Sequence, residues 1–286
     1  MSAIYRTFDQ ATLDHQYNAQ ATVGDITPFI EMYAQGSEAA RARLPFEEAL
    51  SFGASSEETL DLFPAGDGAP LLVFIHGGYW RALSKNESSF MAPNMEQHGI
   101  ATAAVNYTLR PHATLDEIVA EVRRALAWLY KHSAAYGCDP EQIFVAGSSA
   151  GGHLAGMLVS RGWHDAFGVP ETIVKGGVLL SGLYDLEPIQ RCYANEWVGL
   201  DETSARRNSP LAYLPSVGCP LVLSYGGSET SEFKRQSEDF AAAWRAAGFE
   251  ADCFEISHRN HFDIPIELTD PSSALTRKLF ELIEKV

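Results

Sequence analysis

Gly147-Ser148-Ser149-Ala150-Gly151 has the form G-x-S-x-G. A serine at the centre of that pattern is a candidate nucleophile. Its flanking glycines lack a Cβ that would obstruct the sharp turn needed to lift the hydroxyl clear of the chain. The pattern alone is weak, because Gly and Ser are common and a plain Gly/Ser turn reads the same way. Ser148 is a rival by adjacency, but only Ser149 holds the central position. Upstream, His76-Gly77-Gly78-Tyr79-Trp80 follows an apolar run. Acyl transfer through a tetrahedral intermediate needs backbone N–H donors at the developing oxyanion, and paired glycines let the backbone approach a substrate closely. Gly77 and Gly78, with the amide of Ala150, are the candidate donors. The competing reading is a glycine turn followed by two core aromatics.

A serine nucleophile needs a base, and the base needs an acid to fix its tautomer. Ser257-His258-Arg259-Asn260-His261-Phe262-Asp263 supplies two candidate bases. His261 is preferred, while His258 reads equally as a strand cap or loop-stabilising residue. Glu229, in Gly226-Gly227-Ser228-Glu229, is the candidate acid, with Asp185 and Glu232 as alternatives. Any of the three also reads as a solvated loop carboxylate. The histidine pair has no third ligand cluster beside it, so no metal and no cofactor is expected. Cys138, Cys192, Cys219 and Cys253 stand far apart without a C-x-x-C pair and read as reduced thiols of a cytoplasmic protein.

These residues need a frame. Short apolar, β-branched runs at 71–75, 100–106, 142–146, 177–180, 221–224 and 251–256 read as strands. Between them lie helical patterns. The clearest starts at Thr114, where Glu117 completes a capping box and Ile118, Val119, Val122, Leu126 and Leu129 recur at helical spacing. Residues 150 to about 160, 232–247 and 272–283 read as further helices. Strands alternating with helices predict a mostly parallel central sheet flanked by helices. The serine motif falls between strand 142–146 and a helix, the setting of a nucleophile elbow, and the chain order serine, acid, histidine is that of the α/β-hydrolase fold. Residues 1–286 are therefore expected to form one such domain. Residues 1–55 show no sheet signal and are expected to form an arm or cap, with 185–214 as a second cap element.

At 286 residues, 46% apolar and 20% charged, the chain has the composition of a globular protein. The N-terminal stretch lacks a basic region followed by an apolar one, so no secretory signal is expected. No run of 18 apolar residues suggests a transmembrane helix. The formal charge of −16 disfavours nucleic acid and anionic membranes as partners. A small-molecule acyl substrate is the expected partner. Oligomeric state is not legible, a homodimer being one option.

Several segments together resemble the kynurenine formamidase (arylformamidase) branch of the α/β-hydrolases. They are His76-Gly77-Gly78-Tyr79-Trp80, Gly147-x-Ser149-Ala150-Gly151-x-His153, Ser181-Gly182-Leu183-Tyr184-Asp185-Leu186-Glu187-Pro188-Ile189 and Glu232-Phe233-Lys234-Arg235-Gln236-Ser237. Weaker echoes lie at 13–17, 84–88 and 207–210. The resemblance implies that the acid stands four residues before Phe233, at Glu229, where the family usually has Asp. It implies that the histidine is His261, in the pattern H-x-x-H-F. It further implies metal-free hydrolysis of N-formylkynurenine in tryptophan catabolism. On that reading Tyr79 and Trp80 would line the aromatic leaving-group side, with core packing as the alternative for each. A substrate carboxylate would have Arg81, Lys85, Arg110 or Arg191 to choose from. A short-chain carboxylesterase or thioesterase on the same site is the second reading, and a non-catalytic small-ligand binder the third.

Overall fold

The computed structural model describes residues 3–285. In chain order the main elements are α1 (Gln10–Gln16), α2 (Thr27–Arg43), β1 (Glu47–Ser51), β2 (Thr59–Phe63), β3 (Ala69–Ile75), α3 (Ala92–Gln97) and β4 (Ala101–Val105). Then follow α4 (Leu115–His132), β5 (Cys138–Ser148), α5 (Ala150–Val159), α6 (His164–Phe167), β6 (Val174–Leu180) and three short helices, α7 (Glu187–Arg191), α8 (Asn195–Val198) and α9 (Glu202–Arg207). The chain closes with β7 (Leu221–Gly226), α10 (Ser231–Ala246), β8 (Ala251–Ile256) and α11 (Ala274–Glu284).

Eight strands form one sheet in the order β1-β2-β4-β3-β5-β6-β7-β8. β1 and β2 are antiparallel to their neighbours, and β3 to β8 run parallel. Alternate residues of the parallel strands face opposite layers, as the strand period of two requires. Leu72, Phe74, Phe144, Val178 and Val222 meet Met91, Met95, Leu275 and Leu279 on one side. Leu71, Val73, Ile75, Ile143, Val145, Leu179 and Leu223 meet Ile118, Val122, Leu154 and Phe240 on the other. The Thr114 box closes as expected: Glu117 N–H donates to Thr114 Oγ1 (3.3 Å) and Thr114 N–H to Glu117 Oε2 (2.6 Å).

All six expected strands and the expected helices occur, most with ends shifted by a few residues. The expectation that residues 1–55 carry no strand is corrected, because β1 lies at 47–51 and β2, also unforeseen, follows it. Both hide their signal. β1 is a mostly exposed edge strand of sequence Glu-Glu-Ala-Leu-Ser. β2 buries Leu60 and Leu62 on one face but places buried Asp61 between them. That carboxylate accepts from Lys85 Nζ (2.6 Å) and Ala49 N–H (2.9 Å), which makes a charge tolerable inside a strand.

Candidate active site

β5 runs straight into α5, and Ser149 is the single residue between them. Its φ of +57° and ψ of −118° lie outside the regions favoured by side-chain-bearing residues, a strain on the order of 1–3 kcal/mol. Close backbone packing enforces the turn. A Cβ on Gly147 would lie 2.3 Å from Gly151 O, and one on Gly151 would lie 2.0 Å from Ile75 O. Ser149 N–H donates to Leu180 O (2.8 Å), tying the turn to the end of β6. Ser148 is also buried, but it is Ser149 Oγ that His261 meets; the Ser148 carbonyl packs 2.8 Å from where a Cβ on Gly77 would sit.

The loop after β8 carries His261 to this turn. His261 Nε2 lies 2.9 Å from Ser149 Oγ, and Nδ1 lies 2.8 Å from Glu229 Oε2. An ionised carboxylate can only accept, so Nδ1 carries the proton and Nε2 presents its lone pair to the serine hydroxyl. Glu229 Oε1 in turn accepts from Gly226 N–H and from Ser181 Oγ, each at 2.6 Å. All three side chains of the chain are buried. The loop bearing Glu229 lies directly on the one bearing His261. Ser228 N–H donates to Arg259 O (3.1 Å), and a Cβ on Gly227 would be 2.5 Å from Ser257 O. Phe233 and Phe262 flank the imidazole, with ring centroids at 4.5 and 5.3 Å.

The rival residues are elsewhere. His258 is 68% exposed and pairs with Glu267. Asp185 accepts from Tyr5 and from the amide of Glu187. Glu232 accepts from Tyr17 Oη (2.9 Å) and pairs with Arg235 (2.7 Å).

Gly77 sits against the serine, a Cβ on it lying 3.3 Å from Ser149 Cβ. Among the described residues the amides of Gly77 and Gly78 have no hydrogen-bond acceptor. Ala150, first in α5, has none within its helix. Gly78 takes φ +94° and lies where a Cβ would meet Ala82 O at 2.1 Å, so no larger residue fits. His76 braces this loop. Burial pushes its pKa down to about 4, Nδ1 contacts Gly77 O (2.9 Å), and its ring stacks on Tyr107 at 4.1 Å. Tyr107 Oη donates to the carbonyls of His76 and Gly77.

The two aromatics that follow separate. Tyr79 is half-buried, donates to Tyr17 O (2.7 Å) and accepts on its carbonyl from Trp197 Nε1 (3.2 Å). Trp80 is corrected from the substrate side to the core. It is 0% exposed and meets the His153 ring edge-on at 5.0 Å. Tyr79 and Trp80 both take positive φ, which turns the indole inward. His153 is itself neutral, its pKa pushed down to about 4 by burial, with Nε2 2.7 Å from Asn208 O.

Of the four cations, Lys85 is taken by Asp61, Arg110 by the carbonyls of Trp197 and Ala113, and Arg191 by Glu187 and Ile4 O. Arg81 is exposed, stacks on Trp197 at 3.6 Å and has no ion pair among the described residues. The N-terminal arm and the segment 185–214 meet each other beside Tyr79, Tyr193 N–H donating to Asp14 (2.7 Å). No group of three metal-ligating side chains and no helix long and apolar enough to cross a membrane occurs among the described residues.

Sequence reasoning missed two contributors. Ser181 reaches Glu229, and Tyr17 joins the N-terminal segment to both Tyr79 and Glu232. Each lies within a segment that carries the family resemblance, yet nothing in either residue type marks it.

The mostly parallel sheet and the elbow at the end of β5 define a hydrolase of the α/β-hydrolase superfamily. Residues 61–173 match the family model described as BD-FAE. The chain is 32% identical over 271 residues to kynurenine formamidase of Danio rerio, covering 91% of this chain and 89% of that protein. It is 31% identical over 292 residues to kynurenine formamidase of Salmo salar, covering 98% and 95%. The chain belongs to the kynurenine formamidase family. Among solved structures, a candidate thioesterase from Silicibacter sp. superposes with a TM-score of 0.81 at 30% identity, covering 93% of this chain and 97% of that one. An esterase from Pyrobaculum calidifontis, at 18% identity and a TM-score of 0.72 over 93% and 97%, shares the fold.

Proposed function

We propose that this protein hydrolyses N-formylkynurenine to kynurenine and formate, with Ser149, His261 and Glu229 as its triad. The observation that carries the reading is the Ser149–His261–Glu229 chain of 2.9 and 2.8 Å contacts in a chain so similar to kynurenine formamidases. Ser149 Oγ attacks the formyl carbon as His261 Nε2 takes its proton. The oxyanion rests on the amides of Gly77, Gly78 and Ala150. His261 returns the proton to the aromatic amine, which leaves, and Ser149 holds the formyl group as an ester. Water, deprotonated by His261, attacks that ester, and His261 returns the proton to Ser149 Oγ as formate leaves. Each step balances without metal or cofactor. Ring delocalisation lowers the basicity of the leaving nitrogen, so an anilide suits this chemistry.

The arm 1–55 and the segment 185–214 serve as caps on a single catalytic domain, with Tyr79 on the leaving-group side. Four free thiols accord with a reducing, cytoplasmic location, and the N-formylkynurenine substrate gives the protein a role in tryptophan catabolism. A second reading, a short-chain esterase or thioesterase, draws on the Silicibacter structure. The test is kcat/KM on N-formylkynurenine against p-nitrophenyl formate, acetate and butyrate. Formamide turnover, with esters falling steeply from formate to butyrate, supports the first reading. Butyrate turnover without formamide turnover moves the substrate to the second.

A further inference from the structure

Ser181 follows β6 at the same end of the sheet as the nucleophile turn. Its side chain is 0% exposed, and its φ is +48°. Glycine would take that backbone without strain, so the serine keeps a hydroxyl at a conformational cost. That hydroxyl donates to Glu229 Oε1 at 2.6 Å, beside the amide of Gly226 at the same distance. The Ser181 amide donates to Ser224 O (2.8 Å), which anchors it to β7, the strand that leads to Glu229.

A glutamate has three side-chain torsions to fix, and the last one sets which oxygen faces the imidazole. Gly226 N–H and Ser181 Oγ–H both occupy Oε1, which leaves Oε2 for His261 Nδ1. We propose that Ser181 is a positioning residue for the hydrolysis: by holding Oε1 it fixes the plane of the Glu229 carboxylate, and through it the imidazole facing Ser149. The inference rests on the triad reading given above. It adds a fourth residue from a strand that supplies none of the three. A donor aimed at an ionised carboxylate makes a stronger hydrogen bond than a neutral pair, so its loss is measurable.

The experiment is a double-mutant cycle on the full chain, read on p-nitrophenyl acetate and on N-formylkynurenine, with thermal unfolding alongside. Ser181→Ala is expected to lower kcat about tenfold with KM changed less than about twofold, and in a Glu229→Gln background the same change is expected to cost less than about twofold. Ser181→Gly relieves the backbone, keeps the protein folded if alanine does not, and is expected to lose kcat equally. Wild-type kcat in both Ser181 variants overturns the inference, as does an equal loss in the two Glu229 backgrounds. Full activity of Glu229→Gln overturns the triad reading itself. Ester turnover alone leaves the cycle readable while rejecting the formamide substrate.

Discussion

Ser149 is held by backbone against backbone, whereas the Glu229 carboxylate, on a loop stacked closely against that of His261, is oriented by hydrogen-bond donors. At the nucleophile, Gly147, Gly151 and Gly77 bring β3, β5 and α5 within distances that admit no Cβ. At the acid, Ser181, Gly226 and His261 supply three donors to two oxygens. Steric constraint is nearly all-or-none, because close-packed atoms cannot yield a few tenths of an ångström in every direction. Hydrogen bonding is graded, since a lost donor costs a bounded free energy and loops can readjust. The nucleophile end should therefore tolerate no change of backbone, and the acid end should lose activity stepwise.

After loss of the Ser149 hydroxyl itself, the largest effect is expected at Glu229, where Glu229→Gln removes the charge that supports an imidazolium. A fall in kcat of about 10³–10⁴ is expected with little change in melting temperature. Glu229→Asp shortens the reach to Ser181 and should fall between that variant and the wild type, which steady-state kinetics would show. Gly151→Ala probes the steric end. A methyl 2.0 Å from Ile75 O should cost about 3 kcal/mol or more of stability, together with most of the activity. Denaturant unfolding with activity measured in parallel checks both, and an intact, active Gly151→Ala protein would remove the contrast.

What could be read in advance follows the same division. The elbow was legible because its glycines and its apolar strand are adjacent in the chain. The acid was legible only as a first choice, Glu229, with Asp185 and Glu232 left open, because all three are loop-borne or helix-end carboxylates and only folding decides which one meets His261. Asp61 concealed β2 because its partner Lys85 is 24 residues away. Trp80 read as a substrate contact or as a core residue, and the structure buries it, where two successive residues take positive φ that no residue type signals.

Smaller effects test the braces of each end. His76 and His153 are neutral in the fold, with pKa values lowered from 6.5 to about 4. The unfolded chain therefore binds more protons between those values. Stability is full above about pH 6.5 and is lost as pH falls toward 4, by up to about 3 kcal/mol for each histidine. Melting temperatures from pH 7.5 to 4.5 should decline over that window, and a His153→Asn variant should decline less. Tyr17→Phe removes a hydroxyl that donates to Glu232 and accepts from Gln236, leaving both buried groups short of a partner. A loss of about 1–3 kcal/mol is expected, with a modest fall in kcat. Arg81→Ala should raise KM for N-formylkynurenine by about fivefold to tenfold and leave KM for formanilide, which has no carboxylate, unchanged. Equal KM changes on both substrates would reassign Arg81 to loop packing on Trp197.

The central claim is that Ser149 is the nucleophile of an arylformamidase. Its most direct test is kynurenine formation from N-formylkynurenine by the wild type and by Ser149→Ala, with fluorophosphonate labelling of each. The account predicts rapid turnover and a single label on Ser149 in the wild type. It predicts no label in the variant, a loss of at least about 10⁴ in kcat/KM, and an unchanged melting temperature. Turnover by Ser149→Ala within about tenfold of wild type, or a label on Ser148, would contradict it.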